Sequence, residues 1–245
     1  MPLYIKPERS IASGAVAVST TRGGGVSLAP FGSFNLAFHV GDDIQAVENN
    51  RKNLSQDLSA CAIQWLEQVH GNAFIQATKD TTANAFAADG AWTTVPGLAI
   101  AIMTADCLPV LMASTDPGAV AGAHCGWKGL QTGLLSRLIK AMPCAPAELS
   151  VWLPPAISQS NYEVDDRVVA NFPERFVSNP ECVRASQNKG HYLLSLAGIA
   201  QMQLRELGVE DVQVSNICVR QDTRFFSYRR NPITGRMASL IWLEG

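Results

Sequence analysis

Charge is scarce in this chain of 245 residues, and what there is nearly cancels: 19 basic against 21 acidic side chains, a formal net charge of −2. Cations so scattered build no basic face along a phosphate backbone, which argues against a nucleic-acid partner. The one basic and aromatic stretch, FFSYRR at 225–230, is too short to change that. Long apolar runs are missing as well, and none approaches the ~18–20 residues of a membrane span. The opening MPLYIKPERSIASG lacks the basic segment, apolar core and cleavage site of a secretory signal. The expectation is a cytoplasmic protein with no membrane partner, and a monomer by default. Six cysteines (61, 107, 125, 144, 182 and 218) contain no CxxC pair and are spread too thinly for a disulfide framework. In a reducing compartment they are free thiols, so any special one is a ligand or a nucleophile. Histidines number only 4. The phosphate-cradling GxxxxGK(S/T) loop and the HExxH metal motif are both absent.

What is present is a globular composition, 47% hydrophobic and 16% charged. No repeat, low-complexity tract or linker interrupts it. Strand patterns are expected at 15–21, 63–69, 73–77, 98–104, 108–113, 119–123, 149–153 and 212–219. A further pair flanks the turn Asn231-Pro232-Ile233-Thr234-Gly235. Turns are expected at Asp89-Gly90 and at 116–118, and 33–41 reads as irregular or extended. Helical patterns are expected at 42–59, capped by Asp42 or Asp43, and after Gly129 through LQTGLLSRLIKAM. Others fall at 165–172 and at 191–207, closing on Gly208. The stretch 176–190 reads as loop. Strands and helices do not alternate regularly, so a doubly wound parallel sheet is not expected. The fold class is α+β: one domain spanning 1–245, of layered mixed sheets flanked by helices.

The chemistry concentrates at residues 100–130. One buried strand runs into Ala105-Asp106-Cys107-Leu108-Pro109, and the other runs into His124-Cys125-Gly126-Trp127-Lys128-Gly129. His70 has the same setting, at the end of an apolar segment and followed by glycine. Two imidazoles and a thiolate form a three-ligand set with one open position, as catalytic zinc uses. Asp106 is then an acid/base or a group that orients a ligand. The same residues support a Cys107–His124 nucleophilic pair that has no need of His70. A blue-copper site also uses two histidines and a cysteine, although a full multicopper oxidase needs many more histidines than this chain has. The ordinary alternative is that these residues simply pack, and it is the preferred reading for Cys61, Cys144, Cys182 and Cys218. Cys125 points to the face opposite His124 if the strand continues.

Candidate anion binders are Arg22, Lys128, Arg229, Arg230 and Arg236. A solvated surface charge is the better reading for Lys128 and Arg230. Arg22 borders Gly23-Gly24-Gly25 and is the phosphate candidate, since a guanidinium fork suits phosphate. Trp127, Phe225 and Phe226 are candidates to stack on a base, against a default of core packing.

Seven segments together carry a resemblance: TTRGGGVS (20–27), FNLAFHVGDD (34–43), EQVHGN (67–72), TADCLPVLM (104–112), GAHCGWKGL (122–130), PPAISQSNYEVDD (154–166) and FFSYRRNPITGRMASLIWL (225–243). In combination they resemble the bacterial laccase-domain family, also called polyphenol oxidase or peptidoglycan editing factor proteins. The resemblance implies a single α+β domain and a zinc ion on His70, Cys107 and His124. It implies purine nucleoside phosphorylase activity on adenosine, inosine and 5′-methylthioadenosine, with adenosine deamination; the partners are then purine nucleosides and phosphate. An older copper polyphenol oxidase assignment and a cell-wall precursor editing role also attach to the family. So does a likeness to cysteine hydrolases of the deamidating-toxin fold type. The chain departs from the usual AHAGWRG at Cys125 and Lys128, and from a common Cys-Thr at Cys218-Val219; Lys128 keeps the charge of arginine but loses its bidentate geometry.

Overall fold

Four stretches, 98–104, 108–114, 119–125 and 237–243, are buried at every position. A strand buried on both faces must lie inside a sheet covered on both sides. The structure, a computed structural model describing residues 4–58, 62–116 and 118–245, stacks such strands in the middle of a four-layer sandwich.

The chain begins with β1 (Tyr4–Ile5), β2 (Ala15–Thr20), α1 (Ile44–Asp57), β3 (Ala62–Gln64), β4 (Leu66–Glu67), β5 (Phe74–Gln76), β6 (Phe86–Ala87) and β7 (Gly90–Thr93). Next come β8 (Leu98–Thr104), β9 (Leu108–Ser114), β10 (Ala119–Cys125), α2 (Trp127–Gln131), α3 (Leu134–Ala141) and β11 (Leu149–Leu153). The last part holds β12 (Glu163–Asp165), α4 (Asp166–Val169), α5 (Glu174–Val177), β13 (Val183–Ala185), β14 (His191–Leu194), α6 (Leu196–Glu206), β15 (Asp211–Val214) and β16 (Met237–Leu243).

A five-stranded sheet has the order β1-β2-β16-β8-β3, and a six-stranded sheet the order β15-β11-β9-β10-β7-β5. Both mix parallel and antiparallel pairs. Alternation along the strands assigns the layers. Leu98, Ile100 and Ile102 of β8 meet Leu111, Ala113 and Val120 between the sheets. Ala99 and Ala101 turn outward to Leu54 of α1. On the far side, Val110, Met112, Ala121 and Ala123 face Leu135, Leu138 and Ile139 of α3 and Ile199 and Leu204 of α6. Each of these large aliphatic side chains stabilises the fold by roughly 1.5–3 kcal/mol through removal from water. The sheets approach so closely at Gly122 that a Cβ there would sit 3.0 Å from Ile100 and Ile102.

The structure corrects several sequence expectations. The stretch 63–69 is not one strand: β3 pairs with β8 and β4 pairs with β6. The helix after Gly129 is two, α2 and α3, parted at Gly133, whose φ of +78° a continuing helix cannot hold. Residues 191–194 are β14, held between β12 and β13; the helix starts only at Leu196, capped by Ser195. Residues 165–172 hold only the short α4, and 176–190 contains β13. The expected strand 212–219 stops at Val214, and 225–230 forms turns rather than a strand. Asp43, not Asp42, caps α1, by accepting the Ala46 N–H. Cys61 and residue 117 of the expected 116–118 turn lie outside the described residues.

Candidate metal centre and its cavity

The chain crosses from the five-stranded to the six-stranded sheet in only three residues, Ala105–Cys107, between β8 and β9. Asp106 sits in that corner with φ of +111°, a strained value for a residue with a side chain. Its carboxylate ties the corner down, accepting from Ser227 Oγ at 2.6 Å and from the Arg229 N–H at 2.6 Å. Burial raises the Asp106 pKa, against the Ser227 hydrogen bond that opposes the rise.

Strand parity turns Cys107 and His124 the same way. In β9, Leu108, Val110 and Met112 face the helices, which leaves Cys107 on the side between the sheets. In β10, Ala121, Ala123 and Cys125 face the helices, which leaves His124 opposite. Cys125 is therefore a core residue, as the alternation implied, and burial pushes its thiol well up. His70 arrives from outside both main sheets, on the turn after β4, with φ of +58°. Gln68 fixes the entry to that turn by pairing with the Met103 backbone in both directions, at 2.8 and 2.7 Å.

The result is that His70, Cys107 and His124 each present one ligand atom, all within 4.8 Å of one another. The two imidazoles meet edge to face with centroids 4.7 Å apart. Tetrahedral zinc with these ligands needs donor separations of roughly 3.3–3.6 Å, so side-chain adjustments of about 1 Å close the set. Gly126 is required beside it, because a Cβ there would lie 3.2 Å from Cys107 Sγ and 3.6 Å from the His70 ring.

Asp89 is the residue that sequence reasoning missed. Its Asp-Gly dipeptide suggested a turn, but Asp89 is fully buried and Gly90 opens β7. His124 Nδ1 lies 2.8 Å from Asp89 Oδ1. A carboxylate only accepts, so Nδ1 carries the proton and Nε2 keeps its lone pair for the cluster. The same carboxylate accepts from the His70 N–H at 2.9 Å and the Gly71 N–H at 2.6 Å. One acid thus orients one histidine and shapes the turn that carries another. The signal that could have found it is the need of a ligating histidine for an acceptor on its other nitrogen.

The electrostatics of the metal-free cluster favour a thiolate–imidazolium pair, whose Nε2 proton a metal ion would displace. Burial pushes the Cys107 thiol up, but hydrogen bonds and charge from His124 and His70 reverse this and bring it to about 6. Burial pulls His124 down, but Asp89 and Cys107 carry it up to about 9. Asp89 is held below the usual carboxylate range: its burial is outweighed by His124 and the Gly71 and His70 amides.

A cavity of about 330 Å³ opens on the three ligands and also reaches Asp106. That is the lower end of the range for small-molecule sites. Its aromatic walls are Tyr162 and Tyr228, and its nitrogen-bearing ones are His39, Arg229 and Arg236. Trp127, Phe225 and Phe226 do not line it; both phenylalanines are fully buried in a core cluster, and Trp127 packs against the core beneath α3 and α6. Arg22 does not line it either. Its Nε donates to the Gly32 carbonyl at 2.8 Å and its guanidinium lies 4.9 Å from the Phe226 ring centre. Lys128 is an exposed charge above Trp127. Arg230 is no loose surface charge, since it clamps the Val219 and Arg220 carbonyls at 2.9 Å each.

Residues 16–244 match the family model described as multi-copper polyphenol oxidoreductase laccase. The chain belongs to this family. A relative from Pseudomonas aeruginosa named purine nucleoside phosphorylase is 40% identical over the full length of both chains. Purine nucleoside phosphorylase YfiH of Escherichia coli is 39% identical, over 99% of this chain and 100% of its own. A solved structure of a Neisseria meningitidis protein superposes with a TM-score of 0.93 at 36% identity and full coverage of both chains. YlmD from Geobacillus stearothermophilus matches with a TM-score of 0.93 at 32% identity, over 100% of this chain and 97% of that one.

Proposed function

We propose that this chain is a zinc-dependent purine nucleoside phosphorylase acting on adenosine, inosine and 5′-methylthioadenosine, with adenosine deaminase activity at the same site. The observation that carries the reading is a His-Cys-His cluster opening onto a nucleoside-sized cavity that tyrosines and arginines line. The names of the relatives support its phosphorylase part.

His70, Cys107 and His124 are the residues that would hold the zinc. When bound, the ion supplies Lewis acidity at one open position and lowers the pKa of a water there toward ~7. The chain's own groups do the rest. Asp89 keeps Nε2 of His124 free, and the Asp106 corner fixes where Cys107 stands. Both oxygens of Asp106 are committed to Ser227 and Arg229, so we assign it a positioning role rather than that of acid or base. Tyr162 and Tyr228 offer rings to the purine. Zinc suits two imidazoles and a thiolate, and Met103, the thioether that lines the cavity, has its Sδ engaged by Arg51 Nη2 at 3.8 Å.

One observation favours a second reading. Cys107, His124 and Asp89 stand in the order thiolate, imidazole, carboxylate, which is the arrangement of a cysteine hydrolase triad. His70 separates the two. Protein purified without added metal should contain about one zinc per chain, and chelation should abolish phosphorolysis of adenosine. If His70→Ala and chelated protein stay active while Cys107→Ala is dead, the zinc reading fails and the triad stands.

A further inference from the structure

The cavity gathers more positive charge than the structure neutralises. Arg229 and Arg236 both line it, and among the described residues neither has a carboxylate within ion-pair distance. Each is nevertheless held in place by one nitrogen. Arg229 Nη1 donates to the Glu163 carbonyl at 2.7 Å, and its guanidinium rests 4.9 Å from the Tyr162 ring centre. Arg236 Nη1 donates to the Thr234 and Gly235 carbonyls at 3.0 and 3.1 Å. Anchoring to carbonyls fixes a guanidinium without cancelling its charge, and among the described residues the remaining side-chain N–H groups of both forks have no protein acceptor.

His39 stands on the same wall, and behind it lies Arg51, stacked 4.4 Å from Phe38 and 3.8 Å from Trp65. Burial, and then the nearby Arg236 and Arg51, hold the His39 imidazole down, so the guanidiniums carry the charge and the imidazole adds a neutral hydrogen-bonding group. The acids that reach this wall are few. Asp106 spends both oxygens on Ser227 and the Arg229 backbone, and Glu67 reaches His39 only through space. Arg236 also feels the Cys107 thiolate, which places it beside the ligand cluster.

We infer that Arg229, Arg236 and His39 form a subsite for a tetrahedral oxyanion, inorganic phosphate, next to His70, Cys107 and His124. The inference rests on the phosphorylase reading for the choice of phosphate and deepens it by naming the residues. Two anchored forks carry the charge to match a doubly charged anion, and the imidazole adds a third hydrogen-bonding group. Phosphate held here attacks the C1′ carbon of the ribose; the new C1′–O bond forms as the glycosidic C1′–N bond breaks, and the bonding pair leaves with the purine. The aromatic pair Tyr162 and Tyr228 is left for the base.

The test uses zinc-loaded full-length protein, titrated calorimetrically with inorganic phosphate, and steady-state phosphorolysis of adenosine with phosphate varied. Arg236→Lys keeps charge and loses the fork, Arg229→Gln removes a charge, and Arg22→Gln is the control outside the cavity. Arg236→Lys and Arg229→Gln are each expected to weaken phosphate binding and raise the phosphate KM on the order of 10- to 100-fold, with a much smaller change in the adenosine KM. Arg22→Gln should leave both unchanged. An unchanged phosphate KM in both cavity variants, or a rise confined to Arg22→Gln, overturns the subsite while leaving the phosphorylase reading intact. Conversely, if no nucleoside is cleaved but calorimetric phosphate binding depends on Arg236, the subsite stands and the phosphorylase reading falls.

Discussion

Asp89 makes more decisions than any other single residue near the site. It accepts from three backbone or ring donors at 2.9 Å or less, and two of them belong to the residues on either side of the His70–Gly71 bond. Asparagine has the same shape but must turn its NH₂ toward one of these donors. Either the Gly71 N–H faces a donor, or His124 flips to the tautomer with its proton on Nε2. Asp89→Asn should therefore lower zinc affinity about 10- to 100-fold, measured by competition with a coloured chelator. Binding within two-fold of wild type would show that Asp89 is only packing. Gly126→Ala tests the other side of the cluster. Its new Cβ meets Cys107 Sγ at 3.2 Å, so we expect zinc stoichiometry to fall while far-UV circular dichroism stays unchanged. Legibility differs sharply between such residues. His70, Cys107 and His124 could be read as a set because each stands at the end of an apolar segment of the sequence, close to a glycine or proline corner. Asp89 could not, because Asp-Gly is the usual signature of a turn and nothing local marks an acid whose partners lie 18 to 35 residues away.

At the scale of elements, α1 holds the loop 22–36 in place. Asn50, fully buried, donates to Ser27 Oγ and to the Ser33 and Asn35 carbonyls at 2.9–3.1 Å, and it accepts from the Val26 N–H at 2.9 Å. Asn50→Ala strands several buried polar groups, each costing about 1–3 kcal/mol. Urea unfolding should show a loss of at least ~2 kcal/mol, with zinc stoichiometry preserved in the folded fraction. Asp43→Ala removes only the cap and should cost about 1 kcal/mol. Strands β8 to β11 were legible because long apolar runs between turns have few other solutions. The segment His191-Tyr-Leu-Leu-Ser-Leu was not. Its apolar spacing suits a helix, but Ser195 caps α6 and the residues before it pair with β12 and β13. The pairing with β12 and β13 overrides that local spacing, and the split between α2 and α3 follows from Gly133, whose left-handed backbone the apolar pattern does not announce.

Across the whole molecule, the cluster joins parts that are otherwise separate: a turn beyond β4, the corner between the two main sheets, and the end of β10. A metal ion bound there would tie these parts together in the native state alone. Its loading should raise the melting temperature, with a stabilisation near 4 kcal/mol when free metal exceeds Kd by 1,000-fold. Matched scanning fluorimetry of loaded and chelated protein reads this directly, and equal melting temperatures would argue against a resident metal. The α+β class and the layering of sheets between helices could be inferred from the sequence, but the position of each strand in its sheet could not. Strand β16 shows why that matters. Residues 237–243 lie between β2 and β8 in the five-stranded sheet, pairing with both. Without β16, β2 and β8 would present two open edges, and the corner carrying Asp106 and Cys107 would lose the sheet it springs from. A strand that comes far later in the chain than either neighbour therefore closes the sheet on which the ligand corner stands.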